Sequence, residues 1–246
     1  MDKISIITIC YNCKNQLLDT VDSVIRQDYP LVEYIIIDGG STDGTQDALS
    51  PYRDRISTFI SERDNGIYDA LNKGISMATG EWILCLNAGD CLVHEKTLSD
   101  ILSTDRPDSI SALYSDCLVV HADKRISTAL MDITQGKVHH QNVIYRRTLH
   151  ATYGMYLNRK PYIISDLIFL LAIPASQYFK VSEPIAYSQE GGISCGLWSG
   201  EQAIGLQVAY GMNSFPRAIA QYLSLYYHTR KGQIIKQIKQ VYGRKK

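Results

Sequence analysis

Apolar positions in this chain fall into short runs, each followed by a turn or polar cluster and then by an amphipathic stretch. Ile4–Ile9 alternates poorly and reads as a buried first strand. After Tyr11-Asn12, the residues Leu17, Leu18, Val21, Val24 and Ile25 recur at helical spacing and predict a helix over Gln16–Arg26. Glu33–Ile37 is the second strand, and its β-branched Ile35, Ile36 and Ile37 suit burial on both faces. A short helix over Gln46–Leu49 and a strand over Ile56–Ser61 follow. Ile67, Leu71, Ile75 and Ala78 predict a helix over Ile67–Ala78, stopped by Thr79-Gly80, and Trp82–Leu86 is a fourth buried strand. Strand and helix in steady alternation predict an α/β fold, with a mostly parallel central sheet covered by helices.

Beyond residue 105 the pattern loosens. Ser111–His121 is strand-like, Val143–Arg147 is a short strand, and Ile163–Ile173 is helical. Tyr178–Val181 and Ile185–Tyr187 read as paired short strands. Glu190–Gly200, with four glycines, is expected to be a mobile loop, and Glu201 onward reads as amphipathic helices interrupted near Pro216. The expected division is a catalytic domain over 1–200, split into halves 1–104 and 105–200, and a basic helical extension over 201–246.

Composition narrows the class. At 246 residues and 45% hydrophobic content, the chain has material for one large domain with a real core. No apolar run reaches the eighteen or so residues that a spanning helix needs. The N-terminus goes into Ile4–Ile9 without a basic leader, so no signal peptide is expected and a cytoplasmic location is. Cys10 and Cys13 form C-x-x-C, but no second pair completes a zinc site, and the six scattered cysteines read as reduced thiols. Net charge is zero, yet the eight basic residues after Glu201 face no acidic residue, leaving −8 on the first 201 positions. A basic tail on an acidic body fits an anionic partner surface.

The candidate chemistry sits at four strand ends: Thr8-Ile9-Cys10-Tyr11-Asn12, Asp38-Gly39-Gly40-Ser41, Asp64 through Gly74, and Leu86-Asn87-Ala88-Gly89-Asp90. A carboxylate at the end of a buried strand, beside glycine-freed backbone, is where open α/β sheets hold ligands. Asp38 accepts hydrogen bonds but repels phosphate, so the nucleoside end of a nucleotide is its expected partner. In order and spacing, the four segments resemble the family-2 glycosyltransferases of GT-A fold, nearest to bacterial enzymes of exopolysaccharide, colanic-acid-like and O-antigen synthesis. The likeness is strong over residues 3–95 and patchier through 139–195.

That resemblance implies an inverting transfer from a nucleotide sugar, most readily a UDP-sugar, to a glycan or polyprenyl-diphosphate-linked acceptor. Thr8, Tyr11, Asp38 and Gly39 would hold the nucleoside. Asp69, Asn72 and Lys73, sharing a helix face, would meet the sugar and phosphates. Asp90 stands for the family's Asp-x-Asp region and would hold Mn2+ or Mg2+ on the diphosphate, with Asn87 a neutral helper. Asn87 and Gly89 stand where acidic residues often occur, which keeps a catalytically silent binding subunit as the alternative. His140, in His139-His140-Gln141, would donate a hydrogen bond at the diphosphate or its metal. Asp166, in Ser165-Asp166-Leu167, would be the base, with Asp132 and Glu190 as fallbacks. The loop Gly191–Gly200 would close over the donor. The basic C-terminal stretch would lie on an anionic membrane at its inner face, and no nucleic-acid module is recognisable.

Overall fold

The computed structural model describes residues 1–159, 163–191 and 197–242, with side chains for all of these except 197, 198 and 230–242. Its main sheet, seven-stranded among the described residues, is built around β1 (Ile4–Cys10). β1 lies parallel to β2 (Val32–Asp38) on one side and to β4 (Trp82–Cys85) on the other, and β2 pairs in parallel with β3 (Thr58–Ser61). On the far side of β4, β9 (Val143–Arg146) runs antiparallel to both β4 and β6 (Ala112–Tyr114). β10 (Tyr178–Lys180) closes that edge in parallel with β6.

Two helices cover the first half of the sheet. α1 (Lys14–Ile25) places Leu17, Val21 and Val24 against Ile4, Ile6 and Cys10 in the main apolar cluster. α3 (Ile67–Met77) follows the four-residue helix α2 (Thr45–Ala48) and lies on the opposite face. There Gly74 permits close contact, because a Cβ at that position would stand 2.4 Å from the side chain of Ile7. Ile35, Ile36 and Ile37 are wholly buried, as the β-branched run predicts. Each contributes about 1.5–3 kcal/mol by leaving water, so truncating Ile36 to alanine costs about 2–5 kcal/mol.

A second sheet has the order β5 (Cys91–Leu92), β11 (Ala186–Gln189), β7 (Cys117–Val120) and β8 (Ile126–Ala129). Two expectations are corrected here. The run Ser111–His121 is not one strand. It breaks at Ser115-Asp116, where the Ser115 N–H donates to Asn142 and its hydroxyl accepts from the Ile185 N–H. That break sends β6 into one sheet and β7 into the other. The strands near 178 and 187 consequently do not pair with each other: β10 follows β6, while β11 follows β7. Also unforeseen were α4 (Thr97–Leu102) and α5 (Leu149–Tyr153), and the helix near 163–173 is α6 (Ser165–Ala172).

The chain separates into two compact units, Met1–Ile133 with Lys137–Glu190, and Thr134–Gly136 with Gly191–Lys246. The second contains α7 (Leu197–Ala209) and α8 (Phe215–Tyr242), which pack on each other. Leu197–Gly200 is thus helical rather than loop, because Leu197 begins a helix-compatible stretch that runs through Ala209. Residues 192–196 of the expected lid lie outside the described residues. Among the described residues, no helix is long and apolar enough to cross a membrane.

Candidate active site

Because β1, β2, β3 and β4 run in one direction, their carboxyl ends share one edge of the sheet. The loops after β1 and β2 are sewn together there. Asn12, at φ 49°, donates its N–H to the Ser41 hydroxyl at 2.7 Å and accepts from the Thr42 N–H at 2.8 Å. Asp43 accepts from the first amide of α1, Lys14, at 2.9 Å and from the Thr45 N–H at 3.1 Å, so one carboxylate ties two helix starts. Tyr11 is 64% exposed, which places its ring at the surface rather than in the core. It lies against Gly39, where a Cβ would come within 3.3 Å of the Tyr11 ring and 2.6 Å of Asp64 Oδ2. Asp64, unassigned from sequence, is therefore the third member of this corner. Its signal was the Asp-Asn-Gly turn, where it accepts from the Gly66 N–H at 2.9 Å.

Five residues expected at the donor are engaged in contacts within the fold. Asp38 is wholly buried, and its carboxylate accepts from the Ser41 N–H and hydroxyl and from Ser61 Oγ at 2.5 Å. It organises the loop from beneath. Thr8 is also fully buried, because strand alternation turns it toward Tyr34, whose hydroxyl lies 3.2 Å away. Asn72 exchanges two bonds with the Tyr156 backbone, donating to its carbonyl at 2.8 Å and accepting from its N–H at 3.0 Å. Asp69 reaches back from the first turn of α3 to accept the Asn65 N–H at 3.0 Å. Lys73 pairs with Glu62 at 2.8 Å and Asp69 at 3.5 Å.

At the end of β4 the side chains do converge. His140, in the 3-10 turn His140–Asn142, donates from Nδ1 to Asp166 Oδ2 at 2.6 Å. Its Nε2 lies 3.1 Å from the Asn87 amide nitrogen, so Asn87, His140 and Asp166 form one line from β4 to α6. Tyr68 donates to the other Asp166 oxygen at 2.8 Å. Tyr68 was in a quoted motif but unassigned; a hydroxyl on the buried face of α3, beside Leu71 and Ile75, was its signal. Burial disfavours charge on Asp166, but His140 and Tyr68 outweigh it and hold the carboxyl below its usual range. Burial likewise opposes a charged His140, and the Asp166 carboxylate overcomes it, raising the imidazole above its ordinary value.

Asp90 is 6% exposed. Burial pushes its carboxyl up to about 6, against the pull of His140 and hydrogen bonds from Gln141 and the Gln189 N–H. Asn87 Oδ1 is buried without a hydrogen-bond partner. A buried carboxyl and an orphaned amide oxygen, both in the segment after β4, are hard oxygen donors of the kind that Mg2+ or Mn2+ takes. Among the described residues no group of three or more His, Cys, Asp or Glu is arranged to hold a metal. Any cation would therefore rely on ligand oxygens for most of its shell. Of the fallback bases, Glu190 pairs with His121 at 3.1 Å at the end of β11, and Asp132 lies in a bridge to Lys137.

The family model for glycosyl transferase family 2 matches residues 5–125. A PGL/p-HBAD biosynthesis glycosyltransferase of Mycobacterium bovis is 31% identical over an alignment of 174 residues that covers 67% of this chain and 67% of that protein. The chain belongs to glycosyl transferase family 2. It is therefore a glycosyltransferase, and its fold is the GT-A arrangement expected from the motifs. It is also similar to the UDP-Glc:alpha-D-GlcNAc-diphosphoundecaprenol beta-1,3-glucosyltransferase WfaP of Escherichia coli, at 35% identity over 102 residues, 41% of each chain. Among solved structures, S. aureus TarS 1-349 in complex with UDP superposes with a TM-score of 0.66 at 16% identity, covering 89% of this chain and 68% of that one.

Proposed function

We propose that this glycosyltransferase moves a sugar, with inversion, from a UDP-sugar to a glycan or polyprenyl-diphosphate-linked acceptor in bacterial surface polysaccharide synthesis. The observation that carries this reading is the Asn87–His140–Asp166 line, which joins the strand end bearing Asp90 to a carboxyl that His140 and Tyr68 help hold below its usual range. Asp166 takes the proton of the acceptor hydroxyl as its oxygen attacks the anomeric carbon, and the bond to the diphosphate breaks with its electron pair. Asp90 and Asn87 Oδ1 would hold Mn2+ or Mg2+, which when bound offsets charge on the departing diphosphate. Tyr11 flanks the base, Gly39 leaves room for it, and Asp38 holds the loop beneath. WfaP, named for UDP-Glc and a diphosphoundecaprenol acceptor, and TarS, solved with UDP, support the choice of donor and acceptor class.

The C-terminal unit is proposed to lie on the anionic inner face of the membrane, where such an acceptor is held. Exposed Phe215, Ile219 and Leu223 on α8, followed by lysines and arginines to residue 246, support this.

The test is thermal stabilisation by a panel of nucleotide sugars in the presence of Mn2+. A ligand at a hundred times its Kd adds about 2.7 kcal/mol to the folded state. UDP-sugars should raise the melting temperature, GDP- and TDP-sugars much less. No shift with any UDP compound would exclude the proposed donor.

A further inference from the structure

Tyr68 stands on the helix nearest the donor loops, yet its hydroxyl reaches across to the first residues of α6. The hydroxyl oxygen accepts the Ser165 N–H at 2.9 Å. With backbone N–H groups of Ser165 and Asp166 turned toward its oxygen, the hydroxyl directs its single hydrogen onto Asp166 Oδ1, at 2.8 Å. The ring is 4% exposed and packs edge-on against Tyr156, with centroids 5.8 Å apart, which fixes the hydroxyl in space. His140 takes the other Asp166 oxygen. Each carboxylate oxygen thus has a side-chain donor from a different segment of the chain, and the Leu167 N–H donates to the carboxylate as well.

We propose that Tyr68 is a positioning residue for the transfer reaction, holding the Asp166 carboxylate in the orientation from which it receives the acceptor's proton. The proposal rests on Asp166 being the base. Tyr68 keeps its own proton throughout: burial and the adjacent carboxylate push the phenol far above its ordinary range. The proton that leaves the acceptor hydroxyl ends on Asp166, and the two donors then favour its release to solvent, returning the base to its starting form. Their contribution is orientation and readiness, since donors to a carboxylate lower its intrinsic basicity.

The groups facing Asp166 are Tyr68 from α3, His139 and His140 beside the 3-10 turn, Tyr156, and Cys85 from β4, with Asp90 acting on His140. Only Tyr68 need be altered to test the idea. The full chain, labelled with 13C at aspartate carboxyls, is titrated by NMR, with the Asp166 signal assigned by its loss in Asp166→Asn. Tyr68→Phe should move the Asp166 midpoint to higher pH. It should also lower UDP-glucose turnover by about ten- to a hundred-fold, as expected for one lost bond to a charged group, with UDP affinity unchanged. Because Tyr68→Phe strands a buried amide, 3-fluorotyrosine at position 68 serves as the second variant. It keeps the ring and strengthens the donor, and should move the midpoint to lower pH. A midpoint unmoved by both changes, with Asp166→Asn inactive, overturns the role of Tyr68 alone. Moved midpoints with Asp166→Asn fully active overturn the base assignment and reduce Tyr68 to a structural clasp.

Discussion

His140 Nδ1 lies 2.6 Å from Asp166 Oδ2, which raises the imidazole above its ordinary value and holds the carboxyl below its own. The pair is nearly buried, with side-chain exposures of 12% and 19%. Removing one partner leaves the other charge badly solvated. His140→Ala should therefore cost about 2–3 kcal/mol of stability by chemical denaturation, together with a severe loss of transfer. Pairing it with Asp166→Asn should give a double-mutant cycle with a coupling of about 1–3 kcal/mol. Additive losses would show that the two side chains work independently.

Glu33 supplies a second, purely structural prediction. Burial alone would raise its carboxyl, but Lys3 at 2.8 Å, Ser5 at 2.6 Å and the Thr79 N–H at 2.8 Å hold it at about 2. A depressed folded value means the unfolded chain binds the proton more readily, so stability rises with pH through this window. The contribution, about 3 kcal/mol, should be complete above roughly pH 4.5 and lost as pH falls toward 2. Glu33→Gln should flatten that part of the acid-denaturation curve. An unchanged slope would remove Glu33 from the account of acid stability.

Asn72 separates stability from donor binding. Since its amide is occupied by the Tyr156 backbone, Asn72→Ala should destabilise the fold by about 1–3 kcal/mol while leaving UDP affinity alone. Calorimetry with UDP on the folded variant is the check. A weakened complex at unchanged stability would put Asn72 at the donor.

Two glycines give opposite expectations. At Gly39 the nearest obstacle to a Cβ is the tip of the Asp64 side chain at 2.6 Å, which can swing away, taking Asp64 out of the Tyr11 corner. Gly39→Ala should fold with a nearly normal melting temperature and bind UDP more weakly. At Gly80 the obstacles are the Ser5 amide and the Ile4 carbonyl carbon, at 2.6 and 2.9 Å, which cannot yield. Gly80→Ala should lose several kcal/mol. The reverse ranking in a thermal-shift comparison would refute this reading of the corner.

Residues 4–86 were legible because each strand there is a short continuous apolar run with a polar turn behind it, and parallel order follows from alternation with helices. The bend at Ser115-Asp116 was not, since it depends on Asn142 and Ile185, far along the chain. Among the candidate residues, Asp166, His140 and Asn87 were named from motifs, and their meeting needed three-dimensional structure. The burial of Thr8 and Asp38 was not legible, for one reason. A polar residue at a strand end can point inward to a hydroxyl as readily as outward to a ligand, and period-two alternation over so short a run does not say which. Tyr68 and Asp64 were passed over because one reads as core and the other as turn.

The central claim is that two carboxylates at one sheet edge divide the labour, Asp90 on the diphosphate side and Asp166 on the acceptor side. The most direct measurement is calorimetric titration of UDP with Mn2+ into the wild-type chain, Asp90→Ala and Asp166→Asn, alongside UDP-sugar turnover. The account predicts that Asp90→Ala loses Mn2+-dependent binding, that Asp166→Asn keeps it, and that turnover falls in both by about a hundred-fold or more. Full turnover in either variant, or equal loss of UDP binding in both, would contradict it.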